Sequence, residues 1–308
     1  MYYLIYGFLY LLSLLPMWAL YLLGDFVYLV LYKIFGYRKK VVLQNLSVAF
    51  PEKTTEEKNR IAAKFYRNFV DTFIETIKLF SASEAFLKKR VQGDFEVFNQ
   101  LYERGSKAQV HLGHNFNWEM GNVAFNLYSP FPLLAVYMPL SNKTMDRVFR
   151  KMRARSGTIL LPATDMARAF LPYRETQYLL GLVADQVPGN PEKAYWLNFF
   201  GKPAPFVLGP ERGARQNNLP IIFVHITKKK RGHYYVHAHI ETERPLELEE
   251  GELTRRYRDY LETVIRRHPD MWLWSHRRWK KEWKDRYRHL WIDTSPAPAA
   301  ATGQTNPV

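Results

Sequence analysis

From residue 107 to residue 184 short apolar runs alternate with longer amphipathic ones, and no other feature of the chain restricts its fold so tightly. The runs 107–112, 132–138, 158–161 and 177–184 have strand length, while 116–128, 143–154 and 164–174 carry helical spacing. Strands joined by helices of this length pair in parallel through right-handed crossovers. The alternation therefore predicts an α/β fold: a largely parallel, mixed sheet flanked by helices on both faces. In such sheets ligands gather beyond the carboxyl ends of the strands. His114 follows one predicted strand end and Asp185 another.

The remaining segments are arranged around that unit. Thr54 with Glu57 makes a capping box, and Ile61, Phe65, Phe69, Phe73 and Ile77 recur every fourth residue, so a long helix with an apolar core face is expected there. Residues 95–104 read as a helix closed by Gly105. Pro188, Gly189, Asn190 and Pro191 break regular structure, and 199–206 read as a turn beside the sheet. A short helix at 209–217, a hairpin of 220–227 with 234–240, and a basic amphipathic helix at 253–267 complete the body.

Residues 1–24 carry no formal charge. At about 1.5 Å per residue such a run is long enough to cross a bilayer core of about 30 Å, although Pro16 is placed to kink it. Tyr2, Tyr3, Tyr6 and Tyr10 suit a membrane interface, and no basic residue precedes the run as a cleaved signal peptide would require. Beyond a second apolar piece, 26–32, come Lys33, Arg38, Lys39 and Lys40. By the positive-inside rule these stay cytoplasmic, so the expected protein is single-pass in the cytoplasmic (inner) membrane with its catalytic domain facing the cytoplasm. The expected division is a membrane anchor at 1–32, an α/β domain at 33–293 and a disordered tail at 294–308, where proline, alanine and small polar residues dominate.

Composition narrows the chemistry. The chain of 308 residues has no cysteine, which excludes disulfides, cysteine metal sites and a thiol nucleophile. Its net charge of +15 favours an anionic partner: nucleic acid, lipid headgroups, a phosphorylated lipid or an acidic carrier protein. Within HNFNWE, residues 114–119, an imidazole and a carboxylate stand five apart. They lie about 500° apart on a regular helix and so share no face of it, but they meet if His114 sits at the corner before the helix. A histidine can take a proton from a hydroxyl, and a carboxylate can hold its tautomer and offset its charge. His111, His114 and Glu119, or His233, His237 and His239, could instead be read as metal ligands; the His114 spacing is not the i, i+4 pair of helical zinc enzymes, and no metal is expected.

Six stretches, in this order, carry a resemblance: NLSVAFPE (45–52), HNFNWE (114–119), RARSG (153–157), ADQ (184–186), FFGKPAPF (199–206) and WLWSHRRWK (272–280). Together they resemble the bacterial late acyltransferases of lipid A assembly, within the glycerolipid acyltransferase superfamily, over roughly residues 13 to 281. The resemblance implies transfer of an acyl chain from a thioester to a lipid hydroxyl, with His114 as general base and Glu119 as its partner, and no acyl-enzyme. It implies Arg155, Arg153, Asp185, Gln186 and Asn117 as substrate-binding residues, acyl carrier protein as donor, a phosphorylated glucosamine lipid as acceptor, and no cofactor. An aminolipid or glycerophospholipid acceptor and acyl-CoA as donor are the nearest alternatives. A membrane-tethered nucleic-acid-binding protein is a distant one, since it has no use for a base and carboxylate at a strand end.

Overall fold

The structure is a computed structural model and describes residues 1–299. Its centre is a seven-stranded sheet in the order β1-β9-β8-β2-β5-β3-β4. The strands are β1 (Val91–Gly93), β2 (Ala108–Leu112), β3 (Leu133–Tyr137), β4 (Ile159–Pro162), β5 (Leu179–Val183), β8 (Ile221–Lys230) and β9 (His233–Thr242). Only the β8–β9 hairpin is antiparallel; every other neighbouring pair runs parallel. The expected largely parallel sheet is what the chain forms. Helices α7 (Trp118–Phe125), α8 (Lys143–Ala154) and α9 (Met166–Phe170) make the crossovers, and α10 (Gly209–Gln216) and α11 (Glu252–Arg267) follow. Strand β5 inserts between β2 and β3. The chain leaves β2 towards β3 and leaves β5 towards β8, so the loops beyond these two neighbours diverge and open a crevice at their carboxyl ends.

Ahead of the sheet lie α3 (Lys39–Ala49), α4 (Thr55–Lys78), α5 (Glu84–Arg90) and α6 (Glu96–Glu103). The capping box forms: Thr54 Oγ1 accepts from the Glu57 amide and a Glu57 carboxylate oxygen accepts from the Thr54 amide. The apolar stripe of α4 does not stay on the core side throughout. Phe65 and Ile74 are buried but Phe73 is 48 % exposed. Four residues advance about 40° beyond a full turn, so a strict every-fourth pattern drifts round the helix. The stretch 199–206, expected as a turn, belongs instead to a two-stranded hairpin, β6 (Ala194–Phe199) with β7 (Lys202–Val207). Its turn sets Phe200 and Gly201 both at positive φ (52° and 72°). Both strands are edges, where Pro203 and Pro205 forfeit no ladder bond that a central strand would need.

The uncharged N-terminal run is not one helix. It breaks at Pro16, which caps α2 (Met17–Tyr28) after α1 (Tyr2–Ser13). A rod of 12 residues is about 18 Å long and does not reach across a bilayer. Helix α2 continues as a π-helical stretch, Leu29–Ile34, and the segment Met17–Ile34 is long and apolar enough to cross a membrane by length and composition. Of the expected tail, 300–308 lies outside the described residues. Within 294–299, Ser295 Oγ accepts from the Asn198 amide at 3.0 Å.

Candidate active site

The site is made where two neighbouring strands end. Register pairs Leu112 of β2 with Val183 of β5, so the residues two further on, His114 and Asp185, emerge side by side. His114 Nδ1 lies 2.6 Å from Asp185 Oδ1, and the His114 backbone N–H donates to Asp185 Oδ2 at 2.8 Å. The Trp272 indole N–H donates to the same Oδ2 at 2.6 Å. Burial pushes the Asp185 carboxyl up, but the His114 charge and the three hydrogen bonds outweigh it, and it titrates below the usual carboxylate value. An ionised carboxylate accepts, so His114 carries its proton on Nδ1 and turns the Nε2 lone pair outward. The Gln186 side-chain amide stands 3.1 Å from that nitrogen. The imidazole is 21 % exposed and its carboxylate 1 %.

Gly113 makes this closeness attainable. A Cβ there would come within 2.8 Å of Leu261 Cδ2 on α11 and 3.2 Å of Asp185 Oδ2. Gly113→Ala should therefore push α11 or the Asp185 carboxylate away. The expected result is a loss of turnover larger than the loss of stability, read by comparing initial rates with urea midpoints.

Glu119 takes another partner than the one expected. It lies in the first turn of α7, 5 % exposed, and binds the Arg153 guanidinium on α8, whose Nε donates to Oε2 at 2.8 Å and to Oε1 at 3.1 Å. Among the described residues, the carboxylate on the His114 ring belongs to Asp185 and not to Glu119. The physical reason is direction. Helix α7 starts only at Trp118, so Glu119 projects towards α8 while His114 stays at the strand-end corner beside β5. Trp118 links the two: its ring meets the imidazole edge-on at 5.3 Å, and its indole N–H donates to Glu119 Oε1 at 3.1 Å. Arg153→Ala would leave a buried carboxylate without its counter-charge, at a cost of about 3 kcal/mol. Urea unfolding should show that loss, and Glu119→Leu with Arg153→Leu should recover most of it.

A family model described as bacterial lipid A biosynthesis acyltransferase matches residues 1–281. The chain belongs to that family. A search of curated proteins finds no match.

In this lipid A acyltransferase the family stretches converge on the crevice from distant parts of the chain. Asn45, from NLSVAFPE, donates to the carbonyls of Trp274 at 2.8 Å and His276 at 2.7 Å, and Arg38 donates to that of Ser275. These bonds hold the loop that brings Trp272 to Asp185. His276 in turn accepts from the Val187 amide, and burial drives its imidazole down to about 4, which keeps it neutral for that task. Arg278 is fully buried, lying over Phe206 at 4.3 Å and Phe199 at 5.1 Å; burial lowers it to about 10, still charged at neutral pH. The stretch 272–280 therefore lines the site from behind, and Trp272, present in the sequence reading only as part of that stretch, is the residue that fixes Asp185.

The other expected site residues divide. Gln186 faces His114 as described. Asn117 is fully buried and caps α7 with Oδ1 on the Met120 amide, while its Nδ2 donates to Glu75 Oε2 at 3.0 Å, so its side chain is spent on the scaffold. Arg155, the first-choice cation, is exposed and donates to the Leu79 carbonyl, in a cleft formed with Tyr6, Phe80 and Lys151. Arg153 is the cation that reaches Glu119. His111 is 2 % exposed, hydrogen-bonded to Gln109, and held down to about 3 by burial; its side chain packs against Phe223 and Tyr257. Among the described residues no group of three or more His, Asp or Glu is placed to hold a metal ion.

Proposed function

We propose that this acyltransferase moves a fatty acyl chain from acyl carrier protein to a hydroxyl of a phosphorylated glucosamine lipid, a lipid A precursor, on the cytoplasmic face of the inner membrane. The observation that carries the reading is His114, its Nδ1 seated on an ionised, buried Asp185 and its Nε2 turned to the crevice. The acceptor hydroxyl takes the place beside Nε2 that the Gln186 amide marks and gives its proton to the imidazole as its oxygen attacks the thioester carbonyl carbon. The tetrahedral intermediate collapses with cleavage of the C–S bond. The leaving thiolate takes the proton back from the imidazolium, and the products are an ester and a free thiol. The nucleophile is the acceptor itself, so both substrates are bound together and no acyl-enzyme forms.

Asp185 stabilises the imidazolium, and the Glu119–Arg153 pair holds the wall of the crevice through Trp118. The net charge of +15 suits a strongly acidic carrier protein and a phosphorylated acceptor. Purified enzyme given acyl carrier protein thioester and the phosphorylated lipid should yield the acceptor with one more ester-linked chain, seen by mass spectrometry. Transfer to a glycerophospholipid or aminolipid alone, or from acyl-CoA with equal efficiency, would reassign the substrates.

A further inference from the structure

We infer that the apolar cleft between α2 and α4 receives the fatty acyl chain of the donor and sets how long a chain the enzyme transfers. The inference rests on the reaction proposed above and says where one of its substrates lies. The cleft holds about 300 Å³ and is lined by Val27, Leu31, Phe69, Val70, Phe73 and Ile74, together with Tyr37. That volume is at the small end for ligand pockets, which suits one hydrocarbon chain and not a helix of another protein. None of these side chains is charged. The charged residues of the same two helices are engaged elsewhere: Asp25 and Asp71 pair with Arg231 at 2.9 and 2.7 Å, and the fully buried Glu75 accepts from Tyr21 at 2.9 Å.

The two ends of the cleft differ. At Gly24 the helices touch: a Cβ there would lie 3.1 Å from Ile74 Cγ1 and 3.8 Å from Val70 Cγ1, which closes the cleft on that side. Phe69, at the other end, stacks on Tyr37 at 6.2 Å and meets Phe116 at 6.3 Å. Phe116 meets Trp118 at 5.7 Å, and Trp118 meets the His114 ring at 5.3 Å. One unbroken aromatic row therefore joins the cleft to the base, and it gives a chain whose carbonyl reacts beside His114 an apolar course ending at Gly24.

Two further observations point the same way. Leu31 comes from the π-helical stretch Leu29–Ile34, a rare kind of turn that recurs at functional sites. Phe73, 48 % exposed on the wall of the cleft, is an apolar surface that a bound chain covers. Val27 stands between Gly24 and Leu31, so its bulk fixes the depth at which the methyl end stops.

The test measures kcat/KM for acyl carrier protein loaded with even-numbered chains from hexanoyl to octadecanoyl. Val27→Trp should move the preferred chain to a shorter one and lower kcat/KM for the chain that the native protein prefers, relative to hexanoyl, by roughly tenfold or more. Val27→Ala should move the preference to a longer chain. A folding defect slows every donor alike and cannot shift two variants in opposite directions. Preferences that stay native in both variants would make the cleft a seat for bilayer lipid only and overturn the inference, with the proposed reaction left standing. A second arm needs no turnover. Hexadecanoic acid with a diazirine at its methyl end, irradiated with the purified protein in detergent, should label residues within 24–31 or 69–74. Unlabelled hexadecanoic acid should compete, and Val27→Trp should abolish the labelling. Labelling confined to other segments, or unchanged in Val27→Trp, would overturn the inference. If no donor is turned over, the proposed reaction fails and this second arm alone decides the cleft.

Discussion

His114→Ala should lower turnover by roughly 10² to 10⁴ while leaving folding and membrane association intact, because a positioned general base contributes about that much to proton transfer. The side chain is partly exposed at a strand-end corner, and its ring contacts are Asp185, Gln186 and the edge of Trp118, so its removal opens no core cavity. Initial rates with saturating donor and acceptor measure the loss. A variant that acylates at the native rate would remove His114 from the chemistry. The matching His111→Ala change should act on stability instead. That ring is buried and lies between Gln109, Phe223 and Tyr257, where burial keeps it neutral.

Asp185→Asn should cost nearly as much, on the order of 10² to 10³ in turnover, although almost no shape is lost. The carboxylate accepts from the His114 ring, the His114 backbone and Trp272. An amide offers one acceptor oxygen and two unwanted donors, and it can turn the imidazole to the tautomer that carries its proton on Nε2. It also removes the negative charge that offsets the imidazolium. Stability gives a separate readout. The folded carboxyl titrates below the unfolded value of about 3.9, so its contribution is fully present above that pH and is lost as pH falls through the folded value. The difference in melting temperature between the native protein and Asp185→Asn should therefore narrow below about pH 4. A difference that does not change between pH 7 and pH 3 would show that Asp185 is not held ionised.

The alternation from 107 to 184 was legible because each strand and helix there has a period of its own, and the sheet follows from their order. The partner of His114 was not legible. Glu119 is five residues away and Asp185 seventy-one, and what brings Asp185 near is the insertion of β5 between β2 and β3, which no local pattern records. One signal was available: each residue follows the end of a predicted strand within two positions. The β6–β7 hairpin escaped because Pro203 and Pro205 read as breakers, and because Phe200 adopts a conformation usually left to glycine or asparagine. Arg153 and Arg155 look alike in the chain. The helix sends one inward to Glu119 and the other outward to the Leu79 carbonyl.

Glu75 has a mechanical consequence. One carboxylate receives hydrogen bonds from Tyr21 of α2, Tyr234 of the sheet and Asn117 at the head of the helix that carries Glu119. The apolar N-terminal helix is thus joined through one buried group to the helix beside His114. A tilt of the one is a tilt of the other, so the position of the crevice relative to the exposed apolar face of α2 is set by the scaffold and not by a tether.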